Sequence, residues 1–497
     1  MLYHSTRNKQ IQVSSAQAIT QGISKEGGLF VPESLPTIST QQLNQLIAMS
    51  YAERAEWVFS QFLTDFTSEE IHDCVKNAYH AQKFHSDNIA ELSLLSKDTY
   101  MLELWHGPTC AFKDMALQIL PYLLTTSAKK VAKDKKIVIL VATSGDTGKA
   151  ALEGFKDVAG TQMLVFYPED GVSAMQKRQM TTQEGENVAV CAIHGNFDDA
   201  QTGVKQIFTN PEIAQKLEQH QMMFSSANSI NWGRLLPQIV YYVSTYCELL
   251  KDEQIQMGEQ VNVVVPTGNF GNILAAYYAK KMGVPLGKFI CASNANNVLT
   301  DFIKTGTYNR IRDFHATISP SMDILISSNL ERLLYDLSGE DEEKICEWFT
   351  QLNHTGAYTV DEGLKQRLQQ EFYAGCCDDV QTKETIQRIF KTYSYVCDTH
   401  TAVAVKVAED YKRETNDNRK MIIASTASPY KFANSVLEAI GGEIPADDYE
   451  QLDKLYQLSG LEIPKALAEL KEKPVRFSES VDRNEMQRVV LQMLDLK

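Results

Sequence analysis

The sequence predicts an α/β protein whose parallel sheet is covered by helices, and two observations support this fold class. From about residue 98 onward, short apolar runs rich in β-branched residues alternate with helical segments. Strands that are apolar almost throughout are typical of parallel sheets buried on both faces. The predicted strands comprise residues 137–142, 163–167, 188–193, 261–265 and 421–425.

The 497 residues divide into three predicted regions. Residues 1–95 form a small, mostly helical N-terminal domain, in which Thr67 begins a capping box at a helix start. Residues 96–440 form the α/β region, with an acidic helical insertion at about 338–395. Residues 441–497 form a charged, helical C-terminal tail.

Composition limits the possible function classes. The formal charge is 48 − 63 = −15, which argues against nucleic acid and anionic membranes as partners, because both attract basic surfaces. No apolar run approaches the ~20 residues that span a bilayer, and the first residues lack the apolar core of a signal peptide. The nine cysteines include no C-x-x-C pair, which fits free thiols. The sequence also lacks the H-E-x-x-H motif of zinc enzymes. We therefore expect a cytoplasmic protein that acts on a small molecule without a metal ion.

Three predicted strands are followed by loops of small and hydroxyl residues that begin helices. These loops comprise residues 142–148, 266–272 and 425–431. A helix N-terminus presents free backbone N–H groups to anions, and ligands of open parallel sheets bind at the carboxyl ends of the strands. Any one loop could be a tight turn that caps a helix, but several in one α/β chain favour an anionic ligand.

The loop after the strand 261–265 is the best candidate for a phosphate cradle. Its two glycines allow positive φ and close backbone approach, while its asparagines add amide donors. The loop matches neither the P-loop pattern nor the dinucleotide fingerprint G-x-G-x-x-G. The candidate phosphate ligands are Gly268, Asn269, Phe270, Gly271 and Asn272.

A lysine near a predicted helix start is a candidate nucleophile. The segment 106–114 reads HGPTCAFKD, which places Lys113 near the first turn of the next helix. The helix dipole disfavours a cation there, which lowers the lysine pKa and supplies the neutral amine that a Schiff-base lysine needs. The alternative is a solvated surface lysine paired with Asp114, and the segment taken alone favours that alternative.

Nine short motifs are spread over most of the chain. They are 3–7 (YHSTR), 26–32 (EGGLFVP), 106–114 (HGPTCAFKD), 144–148 (SGDTG), 173–180 (SAMQKRQM), 195–201 (GNFDDAQ), 228–234 (NSINWGR), 268–272 (GNFGN) and 426–432 (TASPYKF). Each motif is weak alone, but the complete set in this order is highly specific. The chain resembles the longer type of threonine synthase, which carries an N-terminal domain. The resemblance implies the tryptophan synthase β-like fold, with pyridoxal 5′-phosphate bound between two α/β subdomains.

The resemblance also implies roles for individual residues. Lys113 would hold the cofactor covalently and then carry protons, the loop 268–272 would bind the cofactor phosphate, and Thr426 would hydrogen-bond the pyridine nitrogen. A hydroxyl group there does not enforce a pyridinium as an aspartate does, so the ring is expected to be a weaker electron sink. Asp146 would lie near the imine or the ring hydroxyl. The implied ligands of the substrate carboxylate are Ser144, Gly145, Asp146 and Thr147.

The reaction implied by the resemblance converts O-phospho-L-homoserine and water into L-threonine and phosphate. A leaving phosphate needs donors that stabilise its developing charge. The candidates are Arg234, Lys431, Thr147 and Asn231. Arg234 could instead form a structural ion pair, and Lys431 could cap its helix. The chain departs from the family pattern Thr-Ala-His-Pro-Ala-Lys-Phe at Ser428 and Tyr430, so a substrate-binding role for that histidine is not carried over.

Three alternatives compete with this interpretation. A phospho-lyase on the same scaffold, which releases a 2-oxo acid, needs the same lysine and phosphate pocket. A β-replacement enzyme such as cysteine synthase would not need the segment 228–234 or the N-terminal domain. A nucleotide-binding or regulatory protein would use the same anion loops without a coloured cofactor. We expect the chain to act as a monomer or a homodimer.

Overall fold

The computed structural model describes residues 1–86, 88–132, 135–143, 145–169 and 172–496, with all their side chains except that of Asp198. The strands in these ranges are β1 (Tyr3–Ser5), β2 (Asn8–Val13), β3 (Phe30–Pro32), β4 (Glu91–Ser96), β5 (Thr99–Glu103), β6 (Lys136–Ala142), β7 (Thr161–Pro168), β8 (Val188–His194), β9 (Met222–Ser225), β10 (Val261–Pro266), β11 (Leu286–Ser293), β12 (Thr307–Asn309), β13 (Ala357–Thr359), β14 (Phe372–Cys376), β15 (Met421–Ser425) and β16 (Ser480–Asp482).

Helices surround these strands. They are α1 (Ser15–Gln21), α2 (Thr40–Ile47), α3 (Tyr51–Phe62), α4 (Ser68–Ala78), α5 (Ala81–Phe84), α6 (Asp114–Leu117), α7 (Leu120–Val131), α8 (Asp146–Phe155), α9 (Ala174–Thr181), α10 (Phe197–Phe208), α11 (Pro211–Gln219), α12 (Trp232–Lys251), α13 (Gly271–Met282), α14 (Val298–Thr305), α15 (Leu330–Leu337), α16 (Glu342–Thr355), α17 (Glu362–Glu371), α18 (Asp379–Tyr393), α19 (Thr399–Thr415), α20 (Ala433–Ile440), α21 (Asp448–Ser459), α22 (Lys465–Ala468) and α23 (Met486–Met493). Short 3₁₀ turns occur at Pro320–Met322, Pro429–Phe432, Glu469–Lys471 and Arg483–Glu485.

Two parallel sheets form the framework, which confirms the predicted fold class. The large sheet has the strand order β14-β11-β10-β15-β5-β4, and only the edge pair β4–β5 is antiparallel. The small sheet has the order β16-β8-β7-β6-β9 and is parallel throughout. All five predicted strands are present, because their β-branched runs are buried on both faces, as a covered parallel sheet requires.

The N-terminal domain combines the antiparallel sheet β2-β1-β3 with α1 to α5. The capping box at Thr67 is confirmed, since its side chain accepts the Glu70 N–H at the start of α4. The buried helix α12 packs against this domain and against the large-sheet helix α13. The N-terminal domain and the sheets therefore share one hydrophobic core.

Two expectations about chain organisation are wrong in part. The segment 338–395 is not wholly helical, since it contributes β14, the edge strand of the large sheet. The tail is not wholly helical either, because β16 pairs with β8 and completes the small sheet. Both strands are short and lie in charged surroundings, so the local composition hides them. The large sheet also begins earlier than residue 96, at Glu91 of β4.

Among the described residues, no helix combines the length and the apolar character that crossing a bilayer requires. Within the same ranges, no three histidine, cysteine or acidic side chains come together as metal ligands.

Candidate active site

The candidate site lies between the two sheets, at the carboxyl ends of parallel strands. The neighbouring strands β10, β15 and β5 of the large sheet lead to the loop 268–272, to Thr426 and to Lys113. The loop after β6 of the small sheet brings in Asp146, whose carboxylate lies 3.8 Å from Lys113 Nζ. This is the position at which open α/β sheets bind their ligands.

Backbone hydrogen bonds fix the lysine segment beside the Thr426 turn. The Phe112 N–H donates to the Thr426 carbonyl at 2.8 Å, and the Ser428 N–H donates to the Cys110 carbonyl at 3.0 Å. These bonds fix the distance between Lys113 and Thr426. A fixed distance is needed if both residues are to contact the same ligand.

The Lys113 side chain is nearly enclosed, with 10% of its surface exposed. Its Nζ donates to Ser321 Oγ at 3.4 Å and faces the Asp146 carboxylate. The Asp114 carboxylate accepts instead from the N–H and the hydroxyl group of Thr109, at 2.8 and 2.7 Å. The alternative of a solvated surface lysine paired with Asp114 is therefore wrong.

Burial lowers the pKa of Lys113 from its ordinary 10.5 to about 8. The Asp146 carboxylate acts in the opposite direction, whereas the nearby cations Lys431 and Arg234 lower the pKa further. The direction predicted from the sequence is correct, but the predicted cause is wrong, because α6 has only four residues and desolvation dominates. A neutral amine is thus accessible close to neutral pH, as a nucleophile or base requires.

Asp146 begins α8 and pairs with two lysines. Lys431 Nζ lies 2.5 Å from Asp146 Oδ1 and donates to the Thr109 carbonyl at 3.0 Å. Burial would raise the pKa of Asp146, but these ammonium groups and the Gln176 amide outweigh burial and hold the pKa well below its usual range. Lys431 is therefore an ion-pair partner rather than a helix cap, and its role at a leaving phosphate stays a prediction.

The phosphate-cradle loop differs from the prediction in its backbone. Phe270 has the positive φ, at 65°, whereas neither Gly268 nor Gly271 has one. Gly268 is needed for space instead, because a Cβ atom there would lie 2.9 Å from the Ser321 carbonyl oxygen. The expected close approach is present, but the expected left-handed glycines are not.

The Asn272 side chain shows how this loop could hold a phosphate group. The side chain is 7% exposed, and its Oδ1 accepts from the Tyr242 hydroxyl. Its Nδ2 is buried and has no acceptor among the described residues. Such an unpaired donor costs about 1–3 kcal/mol, which an anionic acceptor would remove. Gly271 also begins α13, whose first N–H groups point toward such an anion. These residues fit the phosphate of pyridoxal phosphate.

Thr426 is buried beside this cradle. Its N–H donates to Thr401 Oγ1 at 3.3 Å, and its hydroxyl group has no hydrogen-bond partner in the described part of the chain. A free hydroxyl at this place suits a ring nitrogen, and that role stays a prediction.

Arg234 is a buried cation without a carboxylate partner in the ranges that the structure covers. Its side chain donates to the Ala227 carbonyl at 2.7 Å, and burial lowers its pKa to about 10. The alternative of a structural ion pair is therefore wrong. Because a buried charge without a counter-charge is costly, and because Arg234 lies near enough to lower the pKa of Lys113, it indicates an anionic ligand here.

Asn231 was expected to bind substrate, and the structure contradicts this. Its Nδ2 donates to the carbonyls of Ile19 and Ser226 at 3.0 and 2.8 Å, and its Oδ1 accepts the Gly233 N–H at 2.9 Å. Both amide protons are occupied, so the residue holds α1 against the start of α12 and has no donor left for a ligand.

The other residues predicted to bind the substrate carboxylate lie after β6. Ser144 is outside the described residues. Gly145 has φ 143°, and a Cβ atom there would lie 2.5 Å from the Gln176 side chain, so only glycine fits. Thr147 is half-buried in the first turn of α8. The substrate roles of these residues stay predictions.

Three residues near the lysine have no counterpart among the predicted site residues. Ser321 contacts Lys113 and Asp146, and it is held by His400, which pairs with Asp398. An Asp-x-His pair before a helix looks like an ordinary N-cap. The contact between Ser321 and Lys113 joins residues 208 positions apart, so no local pattern predicts it.

Three family models match consecutive parts of the chain. Residues 2–79 match the threonine synthase N terminus, residues 88–362 match the pyridoxal-phosphate-dependent enzymes, and residues 401–490 match the threonine synthase C-terminal region. The fold, the nearly enclosed lysine and these matches define a pyridoxal-phosphate-dependent enzyme.

Individual relatives narrow this class. Human threonine synthase-like 1 is 41% identical over 86% of this chain, which spans only 58% of that protein. The threonine synthase of Saccharomyces cerevisiae is 36% identical over 89% of both chains. The structure of pyridoxal-phosphate-bound threonine synthase from Brucella melitensis superposes with a TM-score of 0.88 at 33% identity, covering 99% of both chains. The chain belongs to the threonine synthase family, and the predicted resemblance and cofactor class are confirmed.

We expect covalent loading of pyridoxal phosphate onto the cofactor-free protein to depend on the protonation of Lys113. The pKa is lowered, so the neutral amine becomes the major form above about pH 8 rather than above 10.5. The loading rate, followed by visible absorbance, should rise with pH to a midpoint near 8. Asp146→Asn removes the carboxylate that raises this pKa and should move the midpoint to lower pH. A midpoint near 10.5, or one that Asp146→Asn leaves in place, would contradict the assignment.

Proposed function

We propose that this protein is a threonine synthase, which converts O-phospho-L-homoserine and water into L-threonine and inorganic phosphate. One observation carries the proposal: an enclosed amine with a lowered pKa lies near a buried guanidinium group that has no carboxylate partner. The first group suits a base that works close to neutral pH, and the second suits a phosphate dianion.

The cofactor would be held at three places. Lys113 would bind it covalently, the loop 268–272 with the Asn272 amide would bind its phosphate, and the Thr426 hydroxyl would hydrogen-bond the ring nitrogen. When bound, pyridoxal phosphate stabilises the electron pair left at Cα after deprotonation. The enclosed position of Lys113 keeps bulk water away from its amine.

Lys113 moves the protons of the reaction. Its Nζ would take the Cα proton and pass it to the bound cofactor, which frees the amine to take a Cβ proton and allows phosphate to leave from Cγ. The ammonium group would then give the Cβ proton to Cγ, and the water that adds at Cβ would give its remaining proton to the phosphate. Nζ would finally take back the proton held by the cofactor and return it to Cα. A lysine with an ordinary pKa would be protonated almost completely at neutral pH, so the burial of Lys113 makes these transfers accessible.

Arg234 and Thr147 would receive the leaving phosphate. Among the described residues, the Arg234 guanidinium donates one hydrogen bond, to the Ala227 carbonyl, which leaves its other N–H groups for phosphate oxygens. Asp146 would repel the same dianion, but the Lys431 ammonium group 2.5 Å away neutralises it. The ion pair therefore lets a carboxylate and a phosphate share one pocket.

A second candidate is a phospho-lyase, which releases phosphate, 2-oxobutanoate and ammonia from the same substrate and water. The chain is more similar to the threonine synthase-like 1 proteins, at 41% identity, than to the yeast threonine synthase, at 36%. It spans about 58% of the former, and their name specifies no reaction. Both reactions need Lys113 and a phosphate pocket, so product analysis must separate them.

The experiment follows every product of O-phospho-L-homoserine with the loaded enzyme. Phosphorus NMR measures phosphate, and amino-acid analysis measures threonine. We expect one threonine for each phosphate. Phosphate with equal 2-oxobutanoate would establish the lyase, and no phosphate release with a fully loaded protein would contradict both candidates.

We also propose a cytoplasmic location and a monomer or homodimer. All nine cysteines are free, which fits a reducing compartment. Fluorescence microscopy of a tagged protein and analytical ultracentrifugation test the two statements.

A further inference from the structure

The 3₁₀ turn Pro320–Met322 brings Ser321 to the catalytic lysine. Ser321 Oγ accepts from Lys113 Nζ at 3.4 Å and donates to Asp146 Oδ2 at 3.5 Å. The Ser321 carbonyl oxygen lies against Gly268 of the phosphate loop, with no room for a Cβ atom between them. One residue thus touches the lysine, its counter-ion and the cradle.

A histidine holds this turn in place. The Ser321 N–H donates to His400 Nε2 at 3.1 Å, and His400 Nδ1 lies 2.9 Å from Asp398 Oδ1. Because Nε2 accepts a hydrogen bond, the proton of the neutral ring must lie on Nδ1, which donates it to the Asp398 carboxylate. His400 and Asp398 are buried, so solvent does not compete for these bonds.

The Asp398 carboxylate is also linked, through Thr401, to Thr426. Asp398 Oδ2 accepts from the Thr401 hydroxyl, and Thr401 Oγ1 accepts the Thr426 N–H at 3.3 Å. Asp398 therefore connects the turn beside Lys113 with Thr426, the residue proposed to bind the ring nitrogen.

The rest of the turn is anchored independently of His400. Asn294 Nδ2 donates to Asp323 Oδ1 at 2.7 Å and to the Ser319 carbonyl at 3.3 Å. The Asp323 carboxylate also accepts the Thr317 N–H at 3.0 Å. Removing the His400 ring should therefore release Ser321 locally and leave the segment attached.

We propose that Asp398 and His400 are positioning residues, which hold the Ser321 hydroxyl between the Lys113 amine and the Asp146 carboxylate. The proposal adds two residues to the proposed function, and only its prediction about kcat rests on that function. The positioning itself is a property of the protein before any substrate binds. It is therefore measurable without turnover.

The test compares His400→Ala, His400→Gln and Ser321→Ala with the unchanged full-length chain. A glutamine oxygen can accept the Ser321 N–H in place of Nε2, whereas alanine cannot. His315→Ala is the matched control, since His315 lies on the same segment with an exposed side chain. The first readout is the rate at which acetic anhydride labels Lys113 in the cofactor-free chain, measured by peptide mass spectrometry relative to the exposed Lys304.

We expect His400→Ala and Ser321→Ala to label several-fold faster at Lys113, because the amine loses its hydroxyl partner. His400→Gln and His315→Ala should label like the unchanged chain. In the loaded enzyme, His400→Ala should lower kcat by about 10- to 100-fold with a smaller change in KM, and His400→Gln should restore most of it.

Equal labelling of Lys113 in the unchanged chain and in both alanine variants would overturn the proposal, even if threonine is formed normally. If His400→Ala does not fold, equal labelling in Ser321→Ala alone would still overturn the proposal, because the amine would then not depend on the hydroxyl that His400 is proposed to position. The alanine variants could label faster in a protein that forms no threonine. That result would support the positioning role and contradict the proposed function, so the two failures are distinguishable.

Discussion

Lys113→Ala is expected to lower kcat for threonine formation by at least about 10³-fold, because no other amine can take over the proton transfers. The nearest alternative, Lys431, is committed to Asp146 and to the Thr109 carbonyl. The visible absorbance of the loaded enzyme should disappear in the same variant. Phosphate release, threonine formation and absorbance are measured on equal amounts of protein.

Lys304→Ala is the control for this variant, since Lys304 is an exposed lysine at the end of α14. It should keep both absorbance and turnover. Lys113→Ala that retains more than a tenth of the turnover would show that another group carries the protons, and the account of the reaction would fail.

Arg234→Ala is expected to lower kcat/KM for O-phospho-L-homoserine by about 100-fold, through both a higher KM and a lower kcat. The substrate phosphate would lose a bidentate partner when it binds, which raises KM. The leaving phosphate would lose the same partner as its charge develops, which lowers kcat. Since Arg234 has no carboxylate partner among the described residues, its removal leaves no buried anion unpaired. The fold should therefore tolerate the change better than most losses of a buried charge.

Arg234→Lys separates charge from geometry. It keeps the positive charge but not the planar fork, so its kcat/KM should fall between those of the unchanged enzyme and Arg234→Ala. Arg310→Ala is the control, because among the described residues the Arg310 side chain donates only to the Asn353 carbonyl, and neither residue belongs to a site motif. Unchanged KM and turnover in Arg234→Ala would contradict the assignment of this residue to the phosphate.

The framework was predictable because its signals are local. Five apolar runs correspond to five buried strands. The loops after β10 and β15 meet because these neighbouring parallel strands end at the same edge, and the loop after β6 reaches them from the small sheet through Asp146. Thr426 follows the predicted strand β15, whereas Lys113 follows β5, for which no strand is predicted. Their identification as site residues came from the order of nine motifs, which no single motif could supply.

The remaining features depend on contacts that sequence patterns do not encode. The positive φ lies at Phe270 rather than at a glycine, and Gly268 instead allows the loop to approach Ser321. Asn231 looked like a ligand but is occupied by the N-terminal domain, 212 positions away at Ile19. The pKa of Lys113 is set by burial, which depends on the whole surrounding structure rather than on the four-residue helix after it.

The most direct test of the central claim is to trap the cofactor on the protein. Full-length protein is mixed with pyridoxal phosphate, reduced with borohydride and digested, and the modified peptide is identified by mass spectrometry. We expect one reduced pyridoxyl group per chain, attached to Lys113. Attachment to a different lysine, or no attachment to a folded chain, would contradict it.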